Sequence, residues 1–162
     1  MPYEMMYNLF PELAVKETRT ITVIGKNNLA LPEGEYGLLE MYCNDEDCDC
    51  RRVVLNVVFR DTNDSLAYVC YGWEQLSFYA KWYYGEEVKL SDLDKTEKDD
   101  LRAFKGPCLN IGSPQSNLAQ SILHLVIEQV LSDKDYVDRL KRHYKMFREK
   151  VGANHKQNDA YT

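Results

Sequence analysis

The chain has 162 residues, of which 44% are hydrophobic and 28% charged, the size and composition of one domain with a core of its own. This excludes a disordered chain, a collagen and a disulfide-dense miniprotein. The net charge of −6 is unevenly spread: residues 139–150 carry +5 and the remainder −11, an overall acidity that argues against a general nucleic-acid binder.

In chain order, Met1 to Phe10 has no basic stretch leading into an apolar one, so no secretory signal is expected. Thr18 to Ile24 is β-branched and reads as a strand, stopped by Gly25 to Asn28. Glu35 to Cys43 reads as a second strand, followed by the acidic connection Asn44 to Asp49. Cys50 to Arg60 is a third strand, ended by the turn Asp61 to Asp64, and Ser65 to Trp73 a fourth. An antiparallel meander is the most economical arrangement of the four.

The second half changes to helical patterning. Glu74 to Tyr84 is apolar at Leu76, Tyr79, Ala80 and Tyr83 and is closed by Gly85. Glu86 to Asp100 is acidic and weakly patterned, with room for a short helix after Ser91. Ser113 and Pro114 read as a helix start, opening a largely buried helix to about Leu131. Ser132 and Asp133 are capping candidates for a final helix with Tyr136, Val137, Leu140, Tyr144, Phe147 and Val151 on one stripe, ended by Gly152. The expected fold is α+β, with an antiparallel sheet of about four strands followed by C-terminal helices packed on it. One domain spans residues 1–152, and 153–162 form a flexible tail. The longest apolar runs, such as Leu125 to Ile127, fall far below the roughly 18 residues of a membrane span. Of the twelve tyrosines, Tyr36, Tyr42, Tyr68, Tyr71, Tyr79 and Tyr83 sit where they would pack, with hydroxyls reaching water, rather than forming a base-stacking surface.

The chemistry-bearing feature is the spacing C-x4-C-x-C at Cys43, Cys48 and Cys50. Five cysteines are an odd count, and three within eight residues suit metal or thiol chemistry in a reducing cytoplasm better than a disulfide framework. If Cys48 and Cys50 are both extended they project to one side. If Cys43 then faces Cys50, all three sulfurs converge at one end of the sheet. Such convergence suits zinc, which takes four nitrogen or sulfur ligands in a closed structural site. Candidates for a fourth ligand are Asp45, Asp47, Cys108, His124, His143 or a water. If Arg60 faces Ser65, Cys70 lies opposite Leu55, about 16 Å along the strand from Cys50, and is read as a small buried hydrophobe. Two alternatives stand beside zinc: three reduced thiols without metal, and a redox Cys48–Cys50 pair, whose one-residue spacing would strain the ring.

No nucleophile elbow, zinc-protease motif, P-loop or dinucleotide fingerprint is present. His124 and His143 fall at the margins of apolar helix faces, positions that suit structural hydrogen bonds, and His155 lies in the tail.

Tyr42-Cys43, Cys48-Asp49-Cys50-Arg51-Arg52, Tyr71-Gly72-Trp73-Glu74, Ser113-Pro114-Gln115-Ser116 and Leu140-Lys141-Arg142-His143-Tyr144 together resemble an uncharacterised prokaryotic single-domain family, from about Tyr3 to Val151. The resemblance implies a compact single domain and no particular activity. The sequence reading is therefore a cytoplasmic zinc-binding interaction or regulatory domain of unknown cellular role, leaning away from catalysis, with a protein as the candidate partner and no membrane. The alternatives are a metal-dependent enzyme with an open zinc position and nucleic-acid binding through Arg139, Lys141, Arg142, Lys145 and Arg148.

Overall fold

The computed structural model describes the backbone of residues 2–159 and the side chains as far as residue 154. Its elements are β1 (Tyr3–Met5), α1 (Met6–Leu9), α2 (Pro11–Glu17), β2 (Arg19–Val23), β3 (Gly34–Cys43), β4 (Arg52–Phe59), β5 (Asp64–Gly72), α3 (Leu76–Tyr84), α4 (Lys95–Lys105), β6 (Cys108–Leu109), α5 (Ala119–Val126) and α6 (Lys134–Asp159). A π turn over Ile127–Leu131 continues α5.

The fold is α+β, as the segregated patterning implies, but the sheet has six strands. The order is β1-β3-β4-β5-β6, with β2 also on β3, and every pairing is antiparallel. The β2–β3–β4–β5 meander matches the expected one. The added β1 and β6 have three and two residues, too few to show a two-residue alternation. β1 and β2 share one edge of β3: Tyr3 faces Cys43 at one end and Arg19 faces Leu38 nearer the other.

Alternation along β3 and β4 divides the sheet into two faces. Tyr36, Leu38, Tyr42, Val53, Leu55 and Val57 belong to one core with Ile122, Val126, Tyr136, Leu140, Phe147 and Val151 of the C-terminal helices. The opposite face carries Arg52, Val54 and Cys70. Tyr79 and Leu101, from α3 and α4, form a smaller core, and Tyr79 sits so close to Gly72 that a side chain there would collide with its hydroxyl.

Three expectations are corrected here. Ser113 does not open a helix: its hydroxyl takes an Asn110 side-chain bond at 2.7 Å, and Gln115 bonds both the amide and the carbonyl of Tyr68 at 2.9 and 3.0 Å. The segment extends the edge of β5, and the helix starts at Ala119. α6 runs through Gly152 to Asp159, because a glycine costs only about 1 kcal/mol within a helix. The expected tail thus continues the helix as far as residue 159; residues 160–162 and the His155 side chain lie outside the described residues. Finally, the hydroxyls of Tyr36, Tyr42 and Tyr79 bond the carbonyls of Pro32, Leu140 and Arg51 rather than water, while Tyr83 is exposed.

The last helix is located by a buried polar contact. His143 is 1% exposed and lies between two carboxylates, its Nδ1 2.7 Å from Glu40 on β3 and its Nε2 2.6 Å from Glu17 on α2. Glu40 also accepts from Tyr42 at 2.7 Å, and Glu17 from Arg142 at 2.6 Å. Burial disfavours the imidazolium, but the hydrogen bonds and charges of Glu40 and Glu17 outweigh it and hold the His143 pKa above its ordinary 6.5. Its contribution to stability is therefore complete below about pH 6.5 and is lost as pH rises through the folded value. His143→Gln is expected to cost about 3 kcal/mol near neutral pH, since it leaves the buried Glu40 without its cation while Glu17 keeps Arg142. Urea unfolding at several pH values should show the wild type losing stability as pH rises above 6.5 and H143Q lacking that part of the slope.

Candidate metal centre

β3 ends at Cys43 and β4 begins at Arg52, so residues 44–51 carry the chain between them outside the ladder. Asp45 shapes the first turn: its carbonyl accepts from the Cys48 amide at 3.2 Å, and its side chain from the Asp47 amide at 3.1 Å. Arg51 ends the excursion in the left-handed region, at φ +46°, a conformation that costs a non-glycine residue about 1–3 kcal/mol and is imposed from all sides. Its amide donates to the Tyr144 hydroxyl at 3.2 Å, and its carbonyl accepts from the Tyr79 hydroxyl at 2.9 Å. The guanidinium pairs with Asp49 at 2.9 Å and Glu74 at 3.2 Å, over the Phe78 ring.

This turn brings the three cysteines together. The sulfurs of Cys43, Cys48 and Cys50 all lie within 4.8 Å of one another. Zinc at about 2.3 Å from each sulfur in a tetrahedron requires sulfurs about 3.8 Å apart, so the group needs only a small contraction. The convergence was expected, but the route to it differs. Cys48 and Cys50 are not in a strand, and Met41 pairs with Val54, a register that puts Cys43 level with Arg52 rather than Cys50. The left-handed Arg51 does what an extended strand was expected to do.

Cys43 and Cys50 are fully buried and Cys48 is 9% exposed, with Tyr3 and Trp82 packed against the group. Hydrogen bonds from the Cys50 thiol, the Asp45 amide and the Cys48 thiol bring Cys43 down to about 6 against the opposing effect of burial. Cys50 is pushed up by its bond to Cys43 and by burial, and Cys48 by burial and the Cys43 charge. The Cys50 amide also donates to Cys48; backbone N–H donors aimed at sulfur stabilise thiolate charge.

Of the expected fourth ligands, none among the described residues joins the three sulfurs. Asp45 and Asp47 are exposed on the turn, and His124 is exposed on α5. His143 is held by Glu17 and Glu40. Cys108 lies with Cys70, their sulfurs 3.1 Å apart. Cys70 is buried as expected, but it faces Val54, one residue from the expected Leu55: Ser65 pairs with Val58 rather than Arg60, and the register shift between Val57 and Val58 takes back one of those two residues. Cys48 lines a hollow of about 600 Å³ with Asp49, Trp73, Lys141 and Lys145.

The basic face of α6 is partly spent inside the molecule. Arg148 donates to the carbonyls of Cys43 at 3.1 Å and Glu46 at 2.7 Å, clamping the start of the cysteine turn. Arg139 donates to the Glu17 carbonyl at 3.0 Å, and Arg142 pairs with Glu17. The Arg148 clamp was not visible in the sequence beyond the basic character of the helix.

Comparison of the chain with protein families, curated proteins and solved structures returns no match.

Arg148→Met keeps the aliphatic stem and removes both bonds to the turn. It is expected to lower stability by about 1–2 kcal/mol and to speed amide exchange in residues 44–50 ahead of the sheet. Exchange mass spectrometry against the wild type checks this, with unchanged protection of that segment the contrary outcome.

Proposed function

We propose that the chain is a zinc-binding domain in which Cys43, Cys48 and Cys50 hold one structural metal ion, serving as an interaction or regulatory module rather than an enzyme. The observation that carries this reading is the grouping of three sulfurs within 4.8 Å of one another. Supporting it, the acidic surroundings Asp45, Glu46, Asp47 and Asp49 favour a divalent cation. Metal binding would remove thiol protons and tie the turn to both flanking strands.

In this reading the metal stabilises a fold that already has its own core, unlike a zinc finger. Protein purified without tag histidines is expected to contain about one zinc per chain by elemental analysis. Chelation should lower the melting temperature, because an ion bound only by the folded state adds to its stability, yet leave the secondary structure in place. Cys48→Ser should remove most of the zinc and Cys70→Ser little. Metal-free, fully folded protein indifferent to added zinc and to C48S would refute the reading.

One observation favours a second reading. Cys48 borders an open hollow, and among the described residues no fourth ligand is grouped with the sulfurs, an arrangement suited to an exchangeable water and to metal-dependent catalysis. That reading expects cyanide to alter the visible spectrum of a cobalt-substituted protein; a fourth position closed by protein would leave the spectrum unchanged. For nucleic acid, the use of Arg139, Arg142 and Arg148 in internal contacts supports the view that this helix face serves the fold.

A further inference from the structure

A second group of thiols lies apart from the three-cysteine turn. β6 pairs with β5 so that Cys108 faces Cys70, and their sulfurs are 3.1 Å apart. The Cys108 thiol is also within 2.9 Å of the Ala103 carbonyl. Two residues before Cys108 only a glycine fits: a side chain on Gly106 would collide with the Cys70 carbonyl. Cys108 is half-buried and Cys70 buried, and Cys70 lies at a cavity of about 400 Å³ lined also by Arg52, Tyr83, Phe104 and Ile111.

Arg52 distinguishes this pair from the metal group. Val54 faces Cys70 and Arg52 faces Gly72, so Arg52 and Cys70 are diagonal neighbours on one sheet face, within reach of a long side chain. Arg52 is 4% exposed, bonded to the Tyr3 hydroxyl at 2.9 Å and stacked 3.7 Å from the Phe104 ring centroid. Its Nε has no hydrogen-bond partner. Among the described residues no carboxylate forms an ion pair with it. A buried guanidinium without an anion is costly, and a thiolate on Cys70 supplies one. With a cation beside it and no third ligand grouped with it, the pair is unsuited to a metal and suited to nucleophilic sulfur chemistry.

We propose that Cys70 and Cys108 form a peroxide-reactive dithiol, in which Cys70 is the attacking thiolate paired with Arg52 and Cys108 is the resolving thiol. The Cys108 hydrogen bond, with the Arg52 charge behind it, brings Cys70 down to about 6 in spite of burial. The same bond pushes Cys108 up, which keeps its proton until the second step. In the first step the Cys70 sulfur attacks one oxygen of a hydroperoxide. The O–O bond breaks, an S–O bond forms, and the leaving oxygen takes a proton from solvent, giving Cys70 sulfenic acid and water or an alcohol. In the second, the Cys108 sulfur attacks the Cys70 sulfur. The S–O bond breaks, the Cys108 proton leaves with the hydroxide as water, and a disulfide remains. The dithiol loses two electrons and the peroxide gains them.

The test treats the protein as purified with hydrogen peroxide, alkylates the remaining thiols and digests without reductant. The expected result is a Cys70–Cys108 linked peptide, formed at peroxide levels that leave both cysteines alkylatable in the unfolded chain. Cys108→Ser should instead accumulate a sulfenic acid on Cys70, captured by a dione reagent. Arg52→Met should slow Cys70 oxidation at neutral pH about tenfold or more, because the thiolate fraction falls as the pKa rises, while Arg52→Lys retains much of the rate. Should the Arg52 variants fail to fold, the pH profile of Cys70 alkylation in the wild type decides: half-maximal rate near pH 6 supports the assignment, and an ordinary thiol profile near 8.5 overturns it. Peroxide that oxidises only Cys43, Cys48 and Cys50 also overturns it. The outcome is read at Cys70 and Cys108 alone, so it stands or falls separately from the metal reading.

Discussion

The chain between β3 and β4 must be held without a ladder. Residues 44–51 leave the sheet after Cys43 and rejoin it at Arg52, and eight residues of backbone polar groups would otherwise depend on water. What replaces the ladder comes from far away in the sequence. Arg148 bonds two carbonyls at the start of the turn, and Tyr144 and Tyr79 bond the amide and carbonyl of Arg51 at its end. The three cysteines draw together in its middle. The turn is thus built by the sheet, by α3 and by α6 at once, and no one of these segments contains the information for it. The same dependence explains the stripe of aromatic residues on α6: Tyr144 meets Trp73 edge-on at 5.2 Å and Phe147 meets Tyr42 at 5.6 Å, so the helix that clamps the turn is itself seated by the sheet's aromatic positions.

Electrostatic surroundings separate the two thiol groups. Around Cys43, Cys48 and Cys50 the nearby turn carries Asp45, Glu46, Asp47 and Asp49, which favour a cation among the sulfurs. Around Cys70 and Cys108 the neighbour is Arg52, with Lys105 bonded close by to the Gly72 carbonyl at 2.8 Å, which favours an anion on sulfur. Residues 50 to 52 thus place a cysteine of the first group only two positions from the cation of the second. In the two proposals this alternation of charge separates a metal-binding group from a peroxide-reactive one on neighbouring parts of one sheet end.

How much of this was legible in the sequence follows from length and periodicity. The strands β2 to β5 announced themselves because each shows five or more residues of β-branched or alternating character. β1 and β6 did not, since three and two residues carry no period, and with β6 went the meeting of Cys70 with Cys108. The α5 start was misplaced because Ser113–Pro114 is a helix-opening pair in isolation, while the Gln115 side chain makes a better bargain with the edge of β5. The register of Cys70 was one residue off because the hairpin pairs Ser65 with Val58 rather than Arg60 and a bulge then takes back one residue, and neither leaves a mark in composition. The cysteine grouping was legible, but through a strand that does not exist. Nothing about Arg51 in sequence indicates a left-handed residue; only the surrounding tyrosines and carboxylates, brought in by tertiary structure, make that conformation stable. His143 was legible as a structural hydrogen-bonder, and the identity of its partners was not, because Glu17 and Glu40 are more than a hundred residues away.

The central claim is that three sulfurs of one turn hold a single metal ion with no fourth sulfur. X-ray absorption at the zinc edge of the purified protein reads that shell directly. The account requires three sulfur scatterers at about 2.3 Å and one lighter oxygen or nitrogen scatterer at about 2.0–2.1 Å. A shell of four sulfurs, or one of nitrogen and oxygen alone, would contradict it.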